Sequence, residues 1–159
     1  MNEFQPHVKV LPEDDANRQL ARGFSLYPPL APRNIQVLRV AGGWLEVLRL
    51  FEEVHIGEMD RNPFRSMVLL IDFDCRPDRI DQAKARIPIR LIDRVFTLGV
   101  ISEPEKLKSN LGKSYEAIGM ALAQDCREGT DTTWGHELLR HNAVEVQRLR
   151  QHVRPILFP

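Results

Sequence analysis

The chain has few cysteines, no net charge and no long apolar run, and each lack narrows what it can be. Cys75 and Cys126 are its only cysteines, and they form no CxxC pair. Neither a zinc site nor a disulfide framework is therefore written into the sequence. Two reduced thiols in a cytoplasm are the expectation. Lys plus Arg total 22 and Asp plus Glu also total 22, for a formal net charge of +0. That excludes a protein held on nucleic acid by bulk charge, though not one with a local basic face. No apolar stretch approaches the ~20 residues of a membrane span, and the acidic, proline-containing N-terminus does not read as a signal peptide. No repeat or low-complexity tract occurs, and Tyr27 to Pro32 (YPPLAP) is the sole proline cluster.

What is present is an ordinary globular mixture, 43% hydrophobic and 28% charged over 159 residues. A chain of this length buries about two-thirds of its unfolded surface, so a single domain spanning 1–159 is expected. Short β-branched or apolar runs alternate with segments of helical spacing. His7 to Leu11 reads as a strand, followed by Ala16, Leu20, Ala21 and Phe24 on one helix face. Ile35 to Val40 reads as a second strand, closed by Ala41-Gly42-Gly43. Trp44, Val47, Leu48 and Phe51 then mark an amphipathic helix, and His55 to Arg65 a polar connection. Met67 to Ile71 is apolar at every position, which suits a central strand covered on both faces.

Pro77 opens a helix carrying Ile80, Ala83 and Ile87, and Arg94 to Val100 reads as a fourth strand. Ser102 and Glu105 have capping-box spacing around Pro104. Tyr115, Ile118 and Leu122 mark one further helix. Leu139, Ala143, Val146, Leu149 and Val153 mark the last, with Ile156 to Phe158 as a final edge strand. Strand then helix, four times over, predicts an α/β sandwich with a mostly parallel four-stranded central sheet flanked by helices.

In such sheets the functional crevice lies at the carboxyl ends of the strands. Here the first strand runs into Pro12-Glu13-Asp14-Asp15, the second into Gly42-Gly43 and the third into Asp72-Phe73-Asp74. In an extended chain Asp72 and Asp74 project from one face, roughly 7 Å apart at Cα. Two carboxylates so placed repel unless a cation or proton intervenes, and Mg²⁺ suits them because it keeps several waters for a phosphate to displace. Glu13 reads either as an acid favoured by the dipole of the following helix or as a third metal-facing carboxylate or general acid/base. Gly42 and Gly43 read either as a tight turn or as a place where backbone approaches a ligand phosphate.

These segments resemble the Toprim domain, the metal-binding α/β module of topoisomerases, primases and several nuclease families. Val8 to Asn17, with Glu13 at the family's glutamate, is similar to its first motif. Val68 to Asp74 is similar to its DxD strand. Val40 to Gly43 resembles the intermediate segment of small stand-alone and OLD-nuclease-like members. The resemblance covers residues 7–101 and leaves 102–159 as a C-terminal helical extension. Asp14 stands where many members have glycine, Asn17 where an acid often follows, and Arg76 where topoisomerase-type members have glycine.

The resemblance implies a Toprim-like, Rossmann-like fold with Asp72 and Asp74 binding Mg²⁺ or Mn²⁺ and Glu13 acting as general acid/base or metal ligand. It implies phosphoryl transfer, here hydrolysis of a DNA or RNA phosphodiester, because neither Tyr27 nor Tyr115 lies in a DNA-breaking module. It also allows a partner ATPase and a homo-oligomer. The alternative is a non-catalytic regulatory or assembly module of the same fold.

Other motifs are weaker. Gly112-Lys113-Ser114 lacks the upstream glycine of a P-loop and reads as a helix end and the next N-cap. His136 and His141 are one residue too far apart for a zinc-protease pair, pointing ~140° apart on a helix. The Asp131 to His136 loop presents Trp134 and His136, which with Arg140 form a weak candidate nucleic-acid contact, while Trp134 reads first as a packing anchor and the histidines as structural or surface residues. Arg148, Arg150 and Arg154 extend a basic C-terminal stretch that reads equally as a solvated helix face. A receiver-like phosphotransfer domain is disfavoured, since no Lys follows the fourth strand until Lys106.

Overall fold

A computed structural model describes residues 1–159. Four strands form one all-parallel sheet in the order β2-β1-β3-β4. They are β1 (His7–Pro12), β2 (Ile35–Val37), β3 (Arg65–Leu70) and β4 (Val95–Leu98). The strand between β1 and β4 is β3, and its side chains serve both faces. Val68 enters one core with Val8, Val10 and Phe96, while Met67, Leu69 and Ile71 enter the other with Phe51 and Phe73. An uninterrupted apolar run is what a strand covered on both sides requires.

The helices divide between these faces. On the first lie α1 (Asp15–Ser25), α5 (Pro104–Leu111), α6 (Tyr115–Glu128), α7 (Ala143–His152) and α8 (Arg154–Leu157). On the second lie α2 (Trp44–Leu50), α3 (Ile56–Arg61) and α4 (Asp78–Ala85). The chain leaves β1 toward β2 over the first face and returns to β3 over the second. Strand order therefore reverses between β1 and β3, and the crevice of a doubly wound sheet opens at such a point.

Three expectations fail. The polar connection at His55 to Arg65 is instead mostly helix: a five-residue π turn, Phe51–His55, runs straight into α3, and Arg65 already begins β3. Ser102 does not cap α5: the residue before the helix is Glu103, no side chain caps it, and the Ser102 hydroxyl is buried without a partner. Ile156 to Phe158 form no strand: Ile156 and Leu157 belong to α8, and other C-terminal side chains bond the β4 edge. Asn142 donates to Gly99 O at 2.9 Å and accepts from Gly99 N at 3.2 Å, while Glu145 accepts from Thr97 N at 2.8 Å. An exposed strand edge is a template for unwanted pairing, and these polar side chains blunt it. The terminal residues fold as α8 beside β1, where Leu157 O accepts from Ala31 N at 2.8 Å.

Part of the basic stretch is consumed by the fold. Arg148 bonds Glu145 at 2.7 Å and lies over the Phe96 ring at 4.8 Å, and Arg150 bonds the Thr130 carbonyl and Asp131. Arg140 and Arg154 stay exposed. Gly112 ends α5 in the left-handed region, φ 61°, and Ser114 caps α6, both as the sequence predicts. No helix is long and apolar enough to cross a membrane.

Candidate functional site

Parallel pairing of Pro12 with Leu70 brings the ends of β1 and β3 side by side, and Glu13 N extends the ladder to Leu70 O at 2.9 Å. Glu13 and Asp72 therefore meet where the strand order reverses. The Glu13 carboxylate accepts from the Asp72 backbone N–H at 2.6 Å. Asp14 caps α1, accepting from Asn17 N at 3.0 Å and from Asn17 Nδ2 at 3.1 Å. The same Asn17 amide donates to Asp72 Oδ1 at 2.9 Å. Asn17 is completely buried and ties α1 to the end of β3.

Crowding raises the pKa values here. Asp72 is pushed up to about 8, first by burial and then by the charges of Asp14 and Glu13, against the opposing Asn17 hydrogen bond. Glu13 is also raised, mainly by burial, with the Asp72 N–H and Arg79 pulling the other way. Asp14 lies close enough to share a hydrogen bond with the Asp72 carboxyl. Near neutral pH this group holds a proton where a cation would otherwise balance the charge.

Asp74 does not join it. The extended chain ends at Phe73, and Asp74 and Cys75 both take left-handed backbone, φ 51° and 56°. Their N–H groups bond Ser102 O and Ile101 O. The Asp74 side chain is 65% exposed and sits 3.7 Å from Arg79 of α4. No group of three or more His, Cys, Asp or Glu side chains is arranged so that it could hold a metal ion. Glu13 and Asp72 meet directly beside Asp14, while the Asp74 carboxylate lies nearest Arg79 and its charge still helps to raise Glu13. The donor set itself is all carboxylate oxygen, which is the chemistry Mg²⁺ and Mn²⁺ take.

Gly42 and Gly43 both need their glycine backbones, with φ 98° and 153°. Gly42 N donates to the Glu13 carbonyl at 2.9 Å, and Ala41 N to the Pro12 carbonyl. The Gly42 N–H is therefore committed to bracing Glu13 and is not free to approach a phosphate.

The weaker candidates fall away from this group. Trp134 is buried, its indole donating to Leu122 O at 3.1 Å, and Asp125 holds its loop through Thr133 N and Trp134 N. It is a packing anchor and offers no face to a base. His136 is half-buried and accepts from Leu138 N. Arg140 alone of the three is exposed. The Cys126 thiol is buried, which pushes it up to about 11, and it is inert.

His141 packs edge-on against Phe73, 5.4 Å between centroids, with both ring nitrogens buried and unpartnered. Burial lowers its pKa, so it stays neutral in the fold and charges on unfolding. Its contribution to stability is present above pH ~6.5 and is lost as pH falls through the folded value. His141→Leu is expected to flatten the acid-side fall in melting temperature below pH 6.5. The upper bound on the difference, before solvent screening, is ~1.4 kcal/mol per pH unit. Melts of the two proteins from pH 7 to pH 5 measure it, and parallel curves would show that His141 does not titrate this way.

Sequence reasoning passed over Asn17 and Arg79. Asp14 followed three positions later by Asn17 is an N-cap pattern and signals the first. Nothing in the sequence signals that Arg79 returns to the strand end. Comparison with known protein families, with characterised proteins and with solved structures finds no match for this chain.

Proposed function

We propose that the chain is a Toprim-like, divalent-metal-dependent phosphoryl-transfer domain that hydrolyses nucleic-acid phosphodiesters. The observation that carries this reading is the Glu13–Asp14–Asp72 carboxyl group at the strand-order reversal, with Asp72 pushed up to about 8. Asp72 and Asp74 would hold the cation, with Glu13 beside them. A divalent cation supplies neutralisation of the charge that builds on the phosphate oxygens. Glu13, anchored on the Asp72 N–H, is set to take a proton from the attacking water. Its raised pKa brings it nearer the working pH of a general base. Water oxygen bonds to phosphorus, the bond to the leaving sugar oxygen breaks, and that oxygen takes its proton from solvent.

The test is cleavage of labelled single- and double-stranded DNA and RNA with Mg²⁺ or Mn²⁺. Glu13→Gln should lower cleavage by about 10²-fold or more, the scale of losing a general base. Equal cleavage by the variant would overturn the assignment.

The pairing of Asp74 with Arg79 favours a second reading, a non-catalytic module of the same fold acting with a partner such as an ATPase. That module would show no carboxylate-dependent Mg²⁺ binding by calorimetry.

A further inference from the structure

We infer that the apolar cavity between the sheet and the helices of its first face is a binding site for a small, neutral aliphatic molecule whose single hydrogen-bond donor is accepted by Asn17 Oδ1. No cation takes part, so the site is independent of the metal-dependent reading.

The cavity measures about 80 Å³ and lies inside the first core. Val10, Val68 and Leu98 form its floor on β1, β3 and β4. Ala21, Leu122 and Leu149 close it from α1, α6 and α7. Protein interiors are packed like organic crystals, and voids larger than a water are few. This one is near half the roughly 150 Å³ of an apolar cavity that takes up benzene, so an occupant of about four heavy atoms is the right scale. Phe24 and Ile35, both half-buried, belong to the lining, so the cavity comes near the surface beside β2.

The walls decide the chemistry. Of the 19 lining residues 17 are hydrophobic, and the other two are Gly99 and Asn17. Gly99 spends its N–H and its carbonyl on Asn142, and the Trp134 indole N–H goes to Leu122 O. Asn17 differs. The residue is completely buried, and nothing donates to its Oδ1. Its Nδ2 donates to Asp14 at 3.1 Å and to Asp72 at 2.9 Å, and a reversed amide would set oxygen against both carboxyl groups. Oδ1 is therefore the side-chain atom left to the cavity.

A lone water fits poorly, because a buried water makes about three hydrogen bonds and the cavity offers one free polar side-chain atom. A plain hydrocarbon leaves Oδ1 buried and unpaired. A charged head finds no charge of opposite sign on any lining side chain. A short aliphatic body ending in a hydroxyl meets every demand. Occupancy is also transmitted to the strand ends. A carbonyl that accepts a hydrogen bond makes its own amide N–H groups better donors, and those of Asn17 go to Asp14 and Asp72.

The probe is 2-propanol, with acetone as its control: they share one carbon–oxygen skeleton, but only the alcohol donates. NMR titration of the isotope-labelled chain should show saturable binding of 2-propanol with a roughly millimolar Kd, the scale for so few atoms. Intermolecular NOEs should reach the methyl groups of Val10, Val68 and Leu98, and the Asn17 side-chain amide signals should shift. Acetone should bind about tenfold more weakly, for want of the donor. Ala21→Val puts two methyl groups into the cavity and should weaken 2-propanol binding about tenfold or more, and Val10→Ile tests the same point from the sheet side. Acetone binding as tightly as 2-propanol would remove the donor requirement and overturn the assignment. So would the absence of saturable contacts to these methyl groups, or binding that both substitutions leave unchanged. The two ligand titrations use the wild-type chain, so they decide even if neither variant folds.

Discussion

Asp72→Asn is expected to melt higher than the wild type in the absence of metal, and the gap should widen as pH rises from 4 to 8. The sign follows from the two ends of the equilibrium. Asp72 titrates at about 8 in the fold against an ordinary 3.8, so between these values the folded chain carries a proton that the unfolded chain lacks. Its contribution is full below pH ~4 and is lost as pH climbs through the folded value, at no more than ~1.4 kcal/mol per pH unit. For a domain of this size each kcal/mol moves the melting temperature by about 2–4 °C.

Asparagine keeps the geometry of the protonated acid. Its oxygen can accept from Asn17 Nδ2 as Asp72 Oδ1 does at 2.9 Å, and its amide can donate to Asp14. What it removes is the ionised form, so the variant's melting curve should lose this pH dependence. Millimolar Mg²⁺ should raise the melting temperature of the wild type, since a ligand that binds only the folded state stabilises it by mass action. It should leave Asp72→Asn unmoved. A variant that melts lower without metal and keeps a full Mg²⁺ shift would make Asp72 a structural residue and remove the basis for the proposed chemistry.

The strand-end rule found Glu13 and Asp72 because both lie where pairing still holds the chain extended. It failed two residues later. The period-two argument that put Asp74 beside Asp72 assumes extended backbone, and the chain abandons it at Asp74, φ 51°. That turn is fixed by hydrogen bonds to Ser102 and Ile101, far off in sequence, and no local pattern encodes them. The helix after Gly43 shows the same limit in another form. Trp44, Val47, Leu48 and Phe51 keep helical phase, but the next inward residues are Ile56 and Met59. The π turn at Phe51–His55 adds one residue to the winding and slips the phase, so a fixed 3.6-residue period loses the helix there. Trp134 is the opposite case, where the packing-anchor reading holds and the base-stacking one does not. Its loop is polar in sequence, yet Asp125 supplies its hydrogen bonds from within α6 and lets the indole turn inward.

Gly119→Ala is expected to cost about 3 kcal/mol or more, a large part of the 5–15 kcal/mol that holds a domain together. A Cβ at Gly119 would stand 2.1 Å from Leu20 O and 2.7 Å from Phe24 N. From the other side, a Cβ at Gly23 would stand 2.1 Å from Glu116 O. Both obstacles are backbone, so no rotamer can relieve them and α1 must separate from α6. The effect reaches the site, because α1 begins at the Asp14 cap and carries Asn17, the bridge to Asp72. Gly57→Ala makes the comparison. It lies inside α3 with only the far end of Arg61 at 3.6 Å, so there alanine should stabilise by about 0.5–1 kcal/mol through helix propensity. Urea unfolding of both variants, followed by circular dichroism, should move the midpoints in opposite directions. An unchanged midpoint for Gly119→Ala would mean that α1 and α6 do not cross at backbone contact, and the support for Asn17 would have to be sought elsewhere.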